Sequence, residues 1–210
     1  MPIHTDFIRA FLARWETRQT VAYIPCQRRN YIGQRPYDVL HYGPVIGASG
    51  VTVGTGLDLG QQAEADLRRM GVSGALIARF RPYLGLRKMD AVLALQSAPL
   101  TLSDAECDAL DAAVHADYIA RAAALFDRYT DLPFADCPAE AQAVIVSLFY
   151  HLGSPFATYG HPGYPVLYSR LCHGDWPEAS RELLTGFTRY ANRRADEGRL
   201  IASLAAGEVA

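Results

Sequence analysis

Between Pro138 and Gly153 the chain runs Ala139 to Leu152 with apolar residues on nearly every side of a helix. Proline suits a first helical turn and glycine a helix end, so backbone chemistry sets both bounds. A helix that is apolar all round has no face for water and must be enclosed by other elements. The chain therefore has to build a helical body around this segment, and its flanks supply the parts. Ser103-x-x-Glu106 is a capping box that opens a long alanine-rich helix to about Tyr129. Asp175-x-x-Glu178 caps another, and Tyr190 to Leu204 reads as a last one. Earlier, Gln61 to Met70 is closed by Gly71, and Leu86 to Leu95 stops before Pro99.

The first quarter of the chain is different. Phe7, Ile8, Phe11, Leu12 and Trp15 recur at helical spacing, which predicts a helix from residue 6 to about 17 with Asp6 as its N-cap. From 23 to 50, Pro25, Gly33, Pro36, Gly43, Pro44, Gly47 and Gly50 break any helix, and Val51-Thr52-Val53 reads as a short strand. The expected fold is α+β and mainly α, in a single domain. A small α+β lobe with a β-hairpin runs to about residue 80, and a larger helical lobe covers about 81–210.

Composition narrows the function. With 20 basic and 22 acidic residues the net charge is −2, which argues against a general nucleic-acid binder. No apolar run approaches ~18 residues, so no membrane span is expected. The first residues are acidic before any apolar block, so no signal peptide is visible. Cys26, Cys107, Cys137 and Cys172 form no C-x-x-C. They make no ligand spacing with His4, His41, His115, His151, His161 or His173, so no metal and no cofactor is expected. Four cysteines permit two disulfides in three pairings, among which sequence does not choose. Lys88 is the only lysine, and four of the arginines lie between Arg18 and Arg35, among Tyr23, Tyr31 and Tyr37. Such a mixture suits an anionic or sugar-bearing polymer, and it equally suits an arginine-biased solvated loop.

Two features carry chemistry. Ile8, Leu12 and Glu16 stand at i, i+4 and i+8, so on one continuous helix Glu16 extends an apolar stripe. A carboxyl on such an edge loses solvation, which favours its protonated form and suits a general acid. At the end of its helix it is instead simply solvated. The second feature is Ser49-Gly50-Val51-Thr52-Val53-Gly54-Thr55-Gly56-Leu57-Asp58-Leu59-Gly60-Gln61. Strand alternation turns Thr52, Gly54, Gly56 and Asp58 to one side, leaving a strip where a ligand can approach the backbone. Asp58 is also placed to cap the next helix, with Gln61 completing the box. A glycosidase needs an acid for the leaving oxygen and a group that activates or positions water. Glu16, Thr52 and Asp58 are residues of the right types.

Glu16, Tyr23-Ile24-Pro25 and Gly50 to Gln61 together resemble pesticin-type lysozyme domains, bacterial-toxin relatives of the phage-type lysozymes. The stretch from Gln142 to Gly153 is similar to that family's buried central helix. Arg193-Arg194-Ala195-Asp196-Glu197 to Leu200 is similar to its closing helix. The resemblance implies a lysozyme-like two-lobed fold and cleavage of peptidoglycan between N-acetylmuramic acid and N-acetylglucosamine. It puts Glu16 in the acid's place, Thr52 in that of the water-holding hydroxyl and Asp58 in that of the second carboxylate, with Tyr23 and Thr55 as substrate-binding residues. It also implies an antibacterial toxin, effector or endolysin that acts in the periplasm or cell wall. Such a chain is made in the cytoplasm and then secreted, injected by a secretion-system or phage-tail carrier, or released through a holin. An immunity protein is a further expected partner.

There are departures from the family pattern. Thr17 follows Glu16 where phage-type relatives commonly have glycine, and the segment from Cys26 to Ser49 is longer than in close relatives. Phage-type lysozymes also place an aspartate between the glutamate and the threonine. Asp38 is the only one here, and its spacing is poor. Two rivals stay open: a non-catalytic glycan-binding or assembly-plug module, and a thiol hydrolase using Cys26, His41 and Asp38.

Overall fold

The computed structural model describes residues 2–156 and 163–207; His161 lies outside them. In chain order the elements are α1 (Thr5–Leu12), β1 (Gln19–Tyr23), α2 (Val39–Tyr42), β2 (Thr52–Gly54), β3 (Leu57–Asp58), α3 (Glu64–Arg69), α4 (Gly74–Phe80), α5 (Lys88–Ser97), α6 (Asp104–Phe126), α7 (Ala139–Leu152), α8 (Tyr164–Cys172), α9 (Trp176–Thr185) and α10 (Ala191–Gly207). The fold is α+β and mainly α, as the sequence predicts. Two compact units form, Glu16–Asp117 and a second made of Met1–Trp15 with Tyr118–Ala210. The division therefore does not fall near residue 80. Helices α3, α4 and α5 belong with the sheet, and α1 belongs with the C-terminal helices.

In the helical unit α7 is enclosed as its composition demands: every residue from Ala141 to Phe149 is buried. Burying each of Val144, Ile145, Val146 and Leu148 contributes about 1.5–3 kcal/mol. Helices α1 and α10 pack on α7, and α9 packs on α10. Some polar groups inside are matched, while the Tyr164 and Tyr168 hydroxyls, Nε and Nη1 of Arg194 and Oε2 of Glu197 are buried without a hydrogen-bond partner among the described residues. Gln142 accepts the His4 N–H at 2.9 Å and donates to the Cys137 carbonyl at 3.0 Å, which ties the start of α1 to α7. Glu197, fully buried, accepts from the Ser147 hydroxyl at 2.6 Å and from Arg194 at 2.8 Å.

Helix α1 is shorter than its periodicity predicts. Ile8, Phe11 and Leu12 are buried, but the chain then tightens: Arg14 N–H donates to the Phe11 carbonyl and Trp15 N–H to that of Leu12. These i→i+3 bonds close the last turn and change its pitch. Glu16 consequently leaves the stripe and sits half-buried in a bend that leads to β1. His4, not Asp6, occupies the N-cap position.

The other unit is organised by a three-stranded antiparallel sheet, β1-β2-β3. Thr20, Val21 and Tyr23 favour a pleated strand, and the outer edge of β1 is covered by residues 100–102 through Ala22 N–H to Leu100 O and Leu102 N–H to Thr20 O. Between β1 and β2, the glycine- and proline-broken segment packs around Tyr31, Tyr37 and Tyr42, with ring centroids 5.1–5.7 Å apart. Tyr31 is fully buried, Arg18 is held by Asp104 and Asp108, and Arg28 donates to the Leu40 carbonyl. Of the arginine–tyrosine mixture, Tyr31 and Tyr37 thus pack into the segment, while the arginines are exposed, with Arg18 and Arg28 tethered. Helices α2, α4 and α8 and strand β1 are elements for which the sequence carries no strong periodic signal.

Candidate active site

Strand β2 reads Thr52-Val53-Gly54, and the turn Gly54-Thr55-Gly56 returns the chain into β3. Positive φ at Gly54 (65°) and Gly56 (95°) makes this three-residue turn possible. The register pairs Val53 with Leu57 and Thr52 with Asp58, while on its other side Thr52 pairs with Tyr23. Directly opposed residues share a face, so Tyr23, Thr52 and Asp58 form one cross-strand row. Glu16 approaches the same hairpin at its turn: a Cβ on Gly56 would lie 3.4 Å from Glu16 Oε2.

The electrostatics agree with that placement. The Tyr23 phenol is pushed up by burial and then by the negative charges of Glu16 and Asp58, so both carboxylates act on one hydroxyl. Asp58 is raised by burial, against the pull of the Gly50 and Gly60 N–H groups, Gln61 and Arg87. Its Oδ1 accepts from Gly60 N–H at 2.9 Å and from Gly50 N–H at 3.0 Å. It therefore does cap the turn Leu59–Gln61, while Gln61 donates to the Ala48 carbonyl. The two glycines it holds are themselves in contact, since a Cβ on Gly50 would lie 2.6 Å from the Gly60 Cα. Thr52 is 4% exposed, and its hydroxyl has a long 3.4 Å bond to the Gly50 carbonyl. Thr55 is also buried. Its N–H and hydroxyl turn to Asp111 and His115 of α6, so this side chain anchors the turn.

The structure thus brings Glu16, Tyr23, Thr52 and Asp58 to one hairpin and shows Asp111 and His115 behind it. The signal for those last two is a periodic one: Cys107, Asp111 and His115 recur every four residues on an alanine-rich helix. The thiol alternative loses its basis. Cys26 is 5% exposed and burial pushes its thiol up, whereas a nucleophilic thiol needs to be lowered. All four cysteines are free and buried. Among the described residues no three His, Cys, Asp or Glu cluster as a metal site. None of the described helices is long and apolar enough to cross a membrane.

Residues 9–177 match the family described as pesticin, a bacterial toxin homologue of phage lysozyme, C-terminal part. The chain belongs to this family. The match spans more than three quarters of the sequence and takes in the whole hairpin, Glu16 and α7. No curated protein matches the chain. The α+β fold with its small sheet is therefore a lysozyme-type fold of the bacterial-toxin branch, and membership supports lysozyme-type activity in general.

Proposed function

We propose that this pesticin-family domain is a muramidase that hydrolyses the peptidoglycan strand between N-acetylmuramic acid and N-acetylglucosamine. The observation that carries the reading is the Tyr23–Thr52–Asp58 row with the Glu16 carboxylate at the turn of the same hairpin. Glu16 protonates the leaving oxygen. Thr52 holds the attacking water, because a hydroxyl is a poor nucleophile and a good hydrogen-bond anchor. Asp58, whose charge burial disfavours, is the second carboxylate and draws a proton from that water. Tyr23 offers a flat face to the sugar. Single displacement by water gives inversion and a reducing N-acetylmuramic acid end. Peptidoglycan as substrate places the action in the periplasm or cell wall.

Digestion of purified peptidoglycan in oxygen-18 water tests the reaction. Mass spectrometry should find the label at new reducing N-acetylmuramic acid ends, whereas unlabelled anhydro ends would replace hydrolysis with attack by the substrate's own hydroxyl. Proton NMR of the first-formed anomer reports inversion. The two backbone N–H groups on Asp58 favour a second reading, a wall-binding module without chemistry. Binding to intact peptidoglycan with no new ends of either kind would select it.

A further inference from the structure

Cys107, Asp111 and His115 stand at i, i+4 and i+8 on α6 and share one face. This face meets the turn of the β2–β3 hairpin. Asp111 Oδ1 accepts the Thr55 N–H at 2.9 Å and the Thr55 hydroxyl at 3.1 Å, and the same hydroxyl lies 3.0 Å from His115 Nε2. A hydroxyl has one proton to give. With that proton on Asp111, His115 is the donor to Thr55 Oγ1, which puts its own hydrogen on Nε2. The approach of the carboxylate is close: a Cβ on Gly54 would lie 2.5 Å from Asp111 Oδ1. Gly56, the residue after Thr55, is the one beside the Glu16 carboxylate.

We propose that Asp111, backed by His115, is a positioning residue for the reaction: it clamps the turn at residues 54–56 and so sets the spacing between Glu16 and the Thr52–Asp58 pair. The inference rests on the reading of those three residues as the hydrolytic site. Thr52 and Asp58 form the open end of a hairpin whose closed end lies beside Glu16, so slack in the turn alters the gap in which water must fit. A misplacement of about 1 Å at a reacting centre costs on the order of 10²-fold in rate. Asp111 acts through the Thr55 backbone and hydroxyl. What the clamp requires of it is an acceptor oxygen, not a transferable proton.

The test compares kcat and KM on peptidoglycan fragments for the wild type, Glu16→Gln, Asp111→Ala, Asp111→Asn and Thr55→Val, at a temperature where circular dichroism shows each fully folded. Asp111→Ala should lower kcat roughly 10- to 100-fold with KM nearly kept, and Asn, which retains the acceptor, should restore most of it. Thr55→Val keeps shape without the hydroxyl and should lose about tenfold in kcat. Unchanged kcat per folded molecule in Asp111→Ala overturns the proposal, as does an Asn variant as slow as Ala. A raised KM with kcat kept in Thr55→Val also overturns it, because Thr55 would then be a glycan contact. If Asp111→Ala does not fold, Thr55→Val decides alone. An inactive wild type removes the hydrolase reading and this inference together. An active wild type, an inactive Glu16→Gln and unaffected clamp variants remove this inference only.

Discussion

Asp58 holds two glycine N–H groups and also pairs with Thr52, the residue proposed to anchor the water, so its structural role and its proposed chemical role are separable only by a substitution that keeps one of them. Asparagine retains the acceptor oxygen for Gly50 and Gly60 and caps about as well as aspartate. Asp58→Asn should therefore leave the thermal midpoint nearly unchanged while wall hydrolysis collapses. Retained turbidity clearance with the same midpoint would leave Asp58 as a cap alone. For Glu16→Gln the amide keeps the shape and loses the transferable proton, so turnover should fall by roughly 10²–10⁴. A purified, folded variant with more than about a tenth of wild-type clearance on that scale would remove Glu16 from the acid's role. These positions differ in how they could be read. Thr52 and Asp58 share a side because the register pairs them across β2 and β3; the period of two gives the same side only by running through residues 54–56, which form a turn rather than a strand. The place of Glu16 does not follow from the i, i+4, i+8 rule. That rule presumes an unbroken helix, and the chain leaves α1 through i→i+3 bonds at Arg14 and Trp15.

At the scale of elements, legibility tracks how local the cause is. The Ser103–Glu106 box opens α6, with Glu106 accepting from the Ser103 N–H at 2.8 Å, and Asp175 caps α9 by accepting from the Glu178 N–H. Both rest on groups three residues apart. Helix α7 was legible because its all-round apolar surface needs no partner to be named in advance. The clamp of α6 on the hairpin turn was not, since Thr55 and Asp111 lie 56 residues apart and no local preference links them. The clamp makes a prediction about glycine. Gly54 and Gly71 both have positive φ, but a Cβ on Gly71 meets nothing within 4 Å, while one on Gly54 would strike the Asp111 carboxylate. Gly71→Ala should lose about 1–2 kcal/mol, the backbone cost of the left-handed region alone. Gly54→Ala adds a steric cost of about 1–3 kcal/mol. Equal losses for the two in urea unfolding would mean that the turn is not held against α6.

Over the whole molecule, the sequence suggests a small α+β lobe to about residue 80 followed by a helical lobe, in simple chain order. The chain instead returns α1 to the C-terminal helices through contacts such as His4 with Gln142, which no local pattern announces. The same helical unit encloses a charged cluster whose effect appears only as stability against pH. Glu197 is pushed up to about 7 by burial, despite Arg194 and Arg193, and His151 is pushed down to about 4 by burial and then by the charges of those arginines. The two act in opposite directions. Between about pH 4 and 6.5 an unfolded chain protonates His151 where the folded one does not, so this group removes stability as pH falls through that window. Between about 4.5 and 7 the folded chain protonates Glu197 where the unfolded one does not, so this group adds stability as pH falls. In the shared range of about 4.5 to 6.5 the two slopes, each at most about 1.4 kcal/mol per pH unit, largely cancel. Urea unfolding at a series of pH values should expose them singly. Relative to the wild type, Glu197→Gln should lose stability on acidification across that range, because only the histidine then responds. His151→Phe should gain over the same range, because only the glutamate does. The double variant should run parallel to the wild type, since every other titrating group is common to all four proteins. Single variants that also run parallel would mean that the Ser147, Arg193 and Arg194 contacts keep Glu197 ionised throughout and that His151 titrates alike in the folded and unfolded chains.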